Sequence, residues 1–219
     1  AIASLVQAGY VKVIVTTNFD RLMENALREV GVEPTVIGSD DALKGAVPLI
    51  HSRCYVVKLH GDYLDTRILN TEAELSVYSP SINTLLDRII DAHGLIVTGL
   101  SADWDAALRA AITRAPTRRY PIFWAARGTP SAVETDIITR RAGKVIGIDS
   151  ADKFFETLAR LVSGQADAKK QNPRSIELMV TSTKRYLAKP EFRIQLDELI
   201  GDEARKLDRL LRTPDFALT

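Results

Sequence analysis

The sequence predicts an α/β protein in which a parallel sheet is followed by helices alone. Short runs of β-branched and aliphatic residues alternate with longer segments of helical periodicity, which is typical of a parallel sheet covered by helices. Several of these runs end in small polar residues, as strands of open α/β sheets do at their carboxyl ends. Beyond residue 175 only the helical periodicity remains, which predicts a helical appendage at the C-terminal end.

The first strand and the helix after it carry the clearest pattern. Residues 1–9 are predicted to form the end of a helix, and residues 11–15 a buried β-branched strand. Asp20 then opens an amphipathic helix that Gly31 ends. Its apolar face consists of Leu22, Met23, Ala26, Leu27 and Val30. The polar stretch 33–48 contains glycine and proline and is predicted to form short strands and loop.

Strands and helices continue to alternate down the chain. Strands are predicted over residues 55–59, 95–98, 120–126 and 144–148. Helices are predicted over residues 71–78, 81–93, 103–115, 130–141 and 150–162. Thr129 and Pro130 indicate an N-cap followed by a first helical turn. The alternation predicts a single Rossmann-like parallel sheet with helices on both faces.

The predicted organisation has three parts. The sheet domain covers residues 1–165, a polar linker covers 166–175, and the helical appendage covers 176–219. The appendage either packs on the sheet domain or contacts a partner or a second copy of the chain, and its helical pattern is compatible with both. Because the sequence begins with Ala1 inside a helical pattern, we expect it to be an internal fragment.

Composition excludes several classes of protein. The formal net charge of +1 does not favour nucleic acid or an anionic membrane as the main partner. No apolar run is long enough to span a membrane, and no signal peptide is expected. The single cysteine, Cys54, excludes an internal disulfide and fits a reducing compartment, so we expect a cytoplasmic protein.

Small or polar residues follow three predicted strands at their carboxyl ends. They are Thr17, Asn18 and Asp20 after the first strand, His60, Gly61 and Asp62 after the second, and Gly99, Ser101, Asp103 and Asp105 after the third. Because the carboxyl ends of parallel strands share one edge, these residues can meet without being close in sequence. Taken separately, Asn18 could be only a turn former, Asp20 only an N-cap and His60 only a buried structural histidine.

In this order the three segments resemble those of the sirtuin-like (silent information regulator-like) family. Residues 17–20 match its Asn-x-Asp segment, residues 58–61 its His-Gly segment, and residues 99–101 its Gly-x-Ser segment. The resemblance covers about residues 1–165 and looks closest to a prokaryotic branch of NAD hydrolases, several of them effectors of antiphage defence. It implies that NAD is the substrate and that cleavage yields nicotinamide and ADP-ribose.

The resemblance also implies roles for the matched residues. Asn18 and His60 are the catalytic candidates, since the amide would hold a water or the ribose hydroxyls and the imidazole would act as general base. The NAD-binding candidates are Thr17, Asp20, Gly99, Ser101 and Asp105. Asp20 would orient the nicotinamide end, while Gly99 and Ser101 would approach a phosphate or the adenosine ribose. Asp105 could instead serve only the first turn of its helix.

The sequence departs from the family pattern in two ways. The protein deacylases of the superfamily carry a four-cysteine zinc module, which a single cysteine cannot form, so neither zinc nor another metal is expected. The family's glycine-rich loop has no match before Val11, so the fragment begins after that loop or the protein lacks it. Neither the dinucleotide fingerprint of dehydrogenases nor the P-loop motif of NTPases occurs.

Three functions fit this pattern: an NAD hydrolase, an NAD-dependent protein deacylase, and a non-catalytic domain that senses NAD or ADP-ribose. The presence of both Asn18 and His60 favours an enzyme over a sensor, and the lack of a zinc module disfavours the deacylase. Because uncontrolled loss of NAD would be toxic to the host, we expect a homo-oligomer or a regulatory partner protein to control the activity.

Overall fold

The structure is a computed structural model that describes residues 1–63, 77–102, 105–170 and 173–211. It divides into two units, residues 1–160 and residues 161–219. Residues 64–76 are outside the described part of the chain. The helix predicted over residues 71–78 therefore lies outside it as well, except for residues 77 and 78. Residues 103 and 104, at the predicted start of another helix, are also outside it.

The elements follow the predicted alternation. The strands of the described residues are β1 Val13–Thr16, β2 Thr35–Ile37, β3 Tyr55–Lys58, β4 Leu95–Thr98, β5 Ile122–Ala126 and β6 Lys144–Gly147. The helices are α1 Ile2–Gln7, α2 Leu22–Glu29, α3 Asp40–Lys44, α4 Pro80–Ala92, α5 Ala106–Arg114, α6 Ala132–Arg140, α7 Ala151–Lys170, α8 Pro173–Leu187 and α9 Arg193–Leu211. The α/β class and the helical C-terminal segment are therefore as predicted.

The strands form two parallel three-stranded sheets, in the orders β1-β3-β2 and β4-β5-β6, where a single sheet was predicted. In the described residues β1 forms a ladder with β3, and β4 forms one with β5, but β1 and β4 do not pair with each other. Side-chain packing joins the two sheets instead. Val57 of β3 and Trp124 of β5 belong to the same hydrophobic cluster.

Strand β3 lies at the centre of the first sheet, and all four of its residues are buried. Successive side chains of a strand point to opposite faces of the sheet. Tyr55 and Val57 accordingly pack into the cluster that contains residues of α4, α5 and α6. Val56 packs into a second cluster, with Ala3 and Val6 of α1 and Leu27 of α2. Helices therefore cover both faces of this sheet, as predicted.

Two predicted boundaries are wrong, each because a serine caps a helix. Helix α3 lies within the stretch predicted as strands and loop, and it begins where the Ser39 hydroxyl accepts the N–H of Ala42. Helix α6 begins after Ser131, not at the Thr129-Pro130 signal. Ser131 and Glu134 form a reciprocal capping box, which satisfies two N–H groups where a single cap would satisfy one.

The described residues of the second unit are mostly helical. Most of the linker predicted over residues 166–175 is helical, because α7 continues through Lys170 and α8 begins at Pro173. Alanine and lysine are good helix formers, and proline is tolerated in a first helical turn. The rings of Tyr186 and Phe192 pack with their centroids 5.6 Å apart between α8 and α9. None of the described helices combines the length and apolar character that a membrane span requires.

We predict that Leu27→Ala destabilises the chain by about 2–5 kcal/mol, because it leaves a cavity in the core between α1, α2 and β3. The Leu27 side chain is 0% exposed. Leu22→Ala, in the same helix, is the matched control, since Leu22 is 73% exposed and its loss should cost under about 0.5 kcal/mol. Urea unfolding of the three proteins measures both effects. Equal costs for the two substitutions would contradict the burial of Leu27 in this core.

Candidate active site

The segment between β1 and α2 is shaped by short side-chain contacts. The hydroxyl of Thr16 accepts the N–H of Asn18 at 3.1 Å, and the carboxylate of Asp20 accepts the N–H of Leu22 at 3.0 Å. This contact is an Asx-turn just before α2, whose N-cap position is Arg21 and carries no side-chain cap, so the interpretation of Asp20 as the N-cap is wrong. Asn18, Phe19 and Asp20 are all exposed. The contacts from Thr16 and Asp20 order the backbone of this segment, while the side chains of Asn18 and Asp20 remain exposed.

The buried ammonium of Lys58, the last residue of β3, holds this segment in place. Its Nζ donates to the backbone carbonyls of Phe19, at 2.9 Å, and Asp20, at 2.5 Å. The Lys58 side chain is 0% exposed. A buried cation needs compensating charge, which two carboxylates supply: Glu24 lies 3.2 Å and Asp62 3.3 Å from Nζ. One side chain therefore connects the ends of β1 and β3.

Asp62 is shared between two cations. Besides contacting Lys58, its carboxylate accepts two parallel hydrogen bonds from Arg21, from Nε to Oδ1 at 3.2 Å and from Nη2 to Oδ2 at 3.0 Å. A bidentate arginine–carboxylate pair fixes the relative orientation of the guanidinium and carboxylate planes. This arrangement holds Arg21, at the start of α2, against the residues that follow β3.

The turn after β3 brings His60 to the same place. Gly61 has φ of 98°, a conformation open to glycine and unfavourable for other residues, so the chain can turn directly after His60. The N–H of Tyr63 donates to the carbonyl of Phe19 at 3.2 Å. The ring centroids of Phe19 and His60 are 6.4 Å apart. The structure therefore places the Asn18–Asp20 segment beside His60, on two neighbouring strand ends.

Asp105 makes its contacts within the protein. One oxygen, Oδ1, accepts the N–H of Leu108 at 2.7 Å and so caps α5. The other, Oδ2, lies 2.8 Å from Nε2 of His60 and 2.5 Å from the hydroxyl of Tyr78. The expected cap is present, and Asp105 also supports His60 from the second sheet, which the sequence did not predict. Its assignment to NAD binding stays a prediction.

The protonation states of Asp105 and Tyr78 follow from burial and from their hydrogen bonds. Burial raises the pKa of Asp105, but hydrogen bonds from His60, Tyr78 and the Leu108 N–H outweigh burial and leave the pKa below its usual value. Burial, together with the neighbouring Asp105 carboxylate, raises the pKa of Tyr78 far above its usual value. At neutral pH Asp105 is an anion, and Tyr78 keeps its proton.

A shallow cavity of about 500 Å³, widely open to solvent, lies at the end of β1. It is lined by Thr17, Asn18, Phe19, Asp20 and Tyr63. Three of the predicted site residues therefore line one cavity, and His60 lies next to it through its contact with Phe19. Gly99 and Ser101 lie at the end of β4 and are not among the described residues that line this cavity. Gly99 has φ of 63°, which suits glycine at this turn.

A metal site requires several ligating side chains grouped around one point. Among them, no three His, Cys, Asp or Glu side chains are grouped so that they could hold a metal ion. Cys54 is buried in the cluster that contains Leu27, and burial raises the pKa of its thiol to about 11. At neutral pH the thiol is therefore protonated and unsuited to ligation or nucleophilic attack.

The residues that hold the site segments in place were not predicted from the sequence. Lys58, Glu24, Arg21, Asp62 and Tyr78 received no structural role, although each contacts a site segment. A signal was present for Lys58, because it lies between Val57 and Leu59 in an otherwise apolar run that was predicted to be a strand. A charge in such a run requires a partner elsewhere in the chain.

Comparison with known families covers most of the sheet-bearing unit. The family model described as SIR2-like domain matches residues 12–150. This range contains all the described strands and every residue of the candidate site, from Thr17 to Asp105. A search of curated proteins found no match.

We predict that Lys58→Met costs about 3–5 kcal/mol of stability, because it leaves Glu24 as an uncompensated buried carboxylate. Adding Glu24→Gln to that variant should recover part of the loss. Lys12→Met, at an exposed lysine just before β1, is the control and should change stability by less than about 0.5 kcal/mol. Chemical unfolding measures all four proteins. A Lys58→Met protein as stable as the control would contradict the role of the ammonium.

We also predict a pH-dependent contribution from Asp105. Because its pKa is lower in the folded chain than the unfolded value of about 3.9, its contribution is complete above that value and is lost as the pH falls through the folded pKa. Asp105→Asn should therefore cost about 1–2 kcal/mol near about pH 5, and the difference from wild type should shrink at lower pH. Urea unfolding across this range tests it, and a pH-independent difference would disagree.

Proposed function

This chain belongs to the SIR2-like domain family, and we propose that it is an NAD hydrolase, which cleaves the nicotinamide–ribose bond to give nicotinamide and ADP-ribose. Domains of this family use NAD, so NAD-related chemistry follows from membership. Hydrolysis as the specific reaction is our proposal. The observation that carries it is the cavity lined by Asn18 and Asp20, with His60 beside it on the next strand end.

The geometry suits a bond that breaks through an oxocarbenium-like transition state. Such a reaction needs a positioned water and stabilisation of positive charge more than it needs a strong nucleophile. The exposed amide of Asn18 can hold the water or the ribose hydroxyls at the cavity wall. The carboxylate of Asp20 lies on the same wall, where it would orient the nicotinamide end and favour a developing positive charge.

His60 is the base in this proposal. Its Nε2 lies 2.8 Å from the buried carboxylate of Asp105. An imidazole hydrogen-bonded to a carboxylate is a recurring arrangement of a general base. Thr17 lines the cavity and would contact the same end of NAD. Gly99 and Ser101, at the end of β4, are proposed to approach a phosphate or the adenosine ribose farther along the dinucleotide.

We propose further that the activity serves antiphage defence in the cytoplasm and is controlled by assembly into a homo-oligomer or by a regulatory protein. The support is the family resemblance of the Asn-x-Asp and His-Gly segments and the toxicity of unregulated NAD loss. The helices α8 and α9 carry exposed apolar residues, among them Leu178, Leu187, Ile194 and Leu207. These helices are a place where such control could act. Removal of residues 161–219 with no change in oligomeric state or activity would count against it.

We predict that Asn18→Ala and His60→Ala each reduce nicotinamide release from NAD by about 10²–10⁴-fold in the full-length protein, with folding retained. Asn25→Ala and His51→Ala replace exposed residues of the same types outside the cavity and should leave the rate unchanged. Chromatography of NAD, nicotinamide and ADP-ribose measures the rates. Wild-type rates in both site variants would remove the proposal.

The same assay separates the other two functions. Turnover of NAD that depends on an added acetylated peptide would indicate a protein deacylase, whereas turnover without peptide excludes deacylation as the main activity. Binding of NAD or ADP-ribose by calorimetry, with no product formed, would indicate a sensing domain.

A further inference from the structure

His60, Asp105 and Tyr78 form a chain of hydrogen bonds that begins beside Phe19, one of the residues lining the cavity. The Tyr78 hydroxyl and His60 Nε2 both contact the same oxygen, Oδ2 of Asp105, at 2.5 Å and 2.8 Å. Asp105 and Tyr78 are each 3% exposed, and the His60 side chain is 13% exposed. The chain therefore leads from the protein interior to a partly exposed imidazole.

The chemistry of the three groups decides which atoms carry hydrogen. An ionised carboxylate only accepts hydrogen bonds, and the capping N–H of Leu108 occupies its other oxygen. The Tyr78 hydroxyl must therefore donate to Oδ2. Nε2 of His60 must also donate to Oδ2, because two acceptors 2.8 Å apart would repel each other.

From this we infer that Tyr78 and Asp105 are positioning residues that fix His60 as its Nε2–H tautomer, so that Nδ1 is the atom that takes the proton. The inference rests on the proposed function for the identity of the reaction. Within the described residues Nδ1 makes no hydrogen bond, whereas Nε2 is committed to Asp105. The neutral imidazole can accept a proton only at the nitrogen that lacks one.

The proton balance of the step is complete without a further reactant. Water attacks C1′ of the ribose as the bond from C1′ to the nicotinamide nitrogen breaks, and the bonding pair leaves with nicotinamide, which departs neutral. Nδ1 takes the proton that the water loses. The resulting imidazolium donates from both nitrogens and is stabilised by the Asp105 anion. Release of that proton to solvent restores the neutral tautomer.

The helix cap alone does not explain Asp105. Capping uses Oδ1, and asparagine caps a helix about as well as aspartate. The contacts to His60 and Tyr78 use Oδ2, the position where asparagine would place an NH₂ group. Asp105→Asn therefore preserves the cap but presents a donor to Nε2. Nε2 must then accept a hydrogen bond, so the imidazole carries its hydrogen on Nδ1.

The experiment compares wild type, Asp105→Asn and Tyr78→Phe by two independent measurements. Nitrogen-15 spectra of histidine-labelled protein identify the tautomer of His60, assigned by comparison with His60→Ala. We expect the Nε2–H form in wild type and the Nδ1–H form in Asp105→Asn, with kcat for nicotinamide release about 100-fold or more lower in that variant. Tyr78→Phe removes one of the two hydrogen bonds to Oδ2 and should keep the tautomer, with a loss of about tenfold or less.

Ser131→Ala is the control for a lost helix cap, because it weakens α6 without touching the site and should leave kcat unchanged. An Nδ1–H form in wild type would overturn the inference, as would an Asp105→Asn protein that keeps wild-type kcat. If Asp105→Asn does not fold, the wild-type spectrum and Tyr78→Phe still decide the tautomer. A wild type that releases no nicotinamide would refute the proposed function and the role of Nδ1, while the nitrogen spectra would still test the tautomer assignment.

Discussion

The buried ammonium of Lys58 is the interaction on which the site depends. It binds two carbonyls of the segment after β1 and two carboxylates, one on α2 and one after β3. Removing such a charge from water is costly, and only a complete set of partners offsets that cost. The arrangement therefore tolerates little displacement of either strand end. That constraint keeps the Asn18–Asp20 segment at a fixed distance from the turn that carries His60.

The residues that support the site are buried, whereas the residues proposed to contact the substrate are exposed or partly exposed. The supporting groups, Lys58, Glu24, Asp62 and Asp105, are buried and bonded to one another or to backbone. The groups proposed to meet the substrate lie above them and are exposed or partly exposed, as Asn18 and His60 are. Catalytic groups work best when their orientation is set before the substrate arrives, because no ordering cost then falls on the reaction itself.

Much of the fold and the exposed part of the site could be predicted from the sequence, but the supporting part could not. Strand and helix periodicity is local, and the carboxyl ends of parallel strands share one edge, so the placement of Asn18 near His60 followed from topology. Glu24 lies 34 residues from its partner Lys58, and His60 lies 45 residues from its partner Asp105, distances that no local pattern records. The division into two sheets escaped prediction for the same reason, since it depends on which strand edges pair.

His60 and the carboxylate that supports it come from different halves of the first unit. The imidazole follows β3, in the sheet β1-β3-β2, while Asp105 follows β4, in the sheet β4-β5-β6. No ladder in the described residues joins these halves, so their mutual placement depends on the shared apolar cluster. A chain in which only one half has formed would have the imidazole without its anchor. Under the proposed function, the imidazole in such a chain would lack the carboxylate that selects its tautomer, so both halves must form before the proposed general base is oriented.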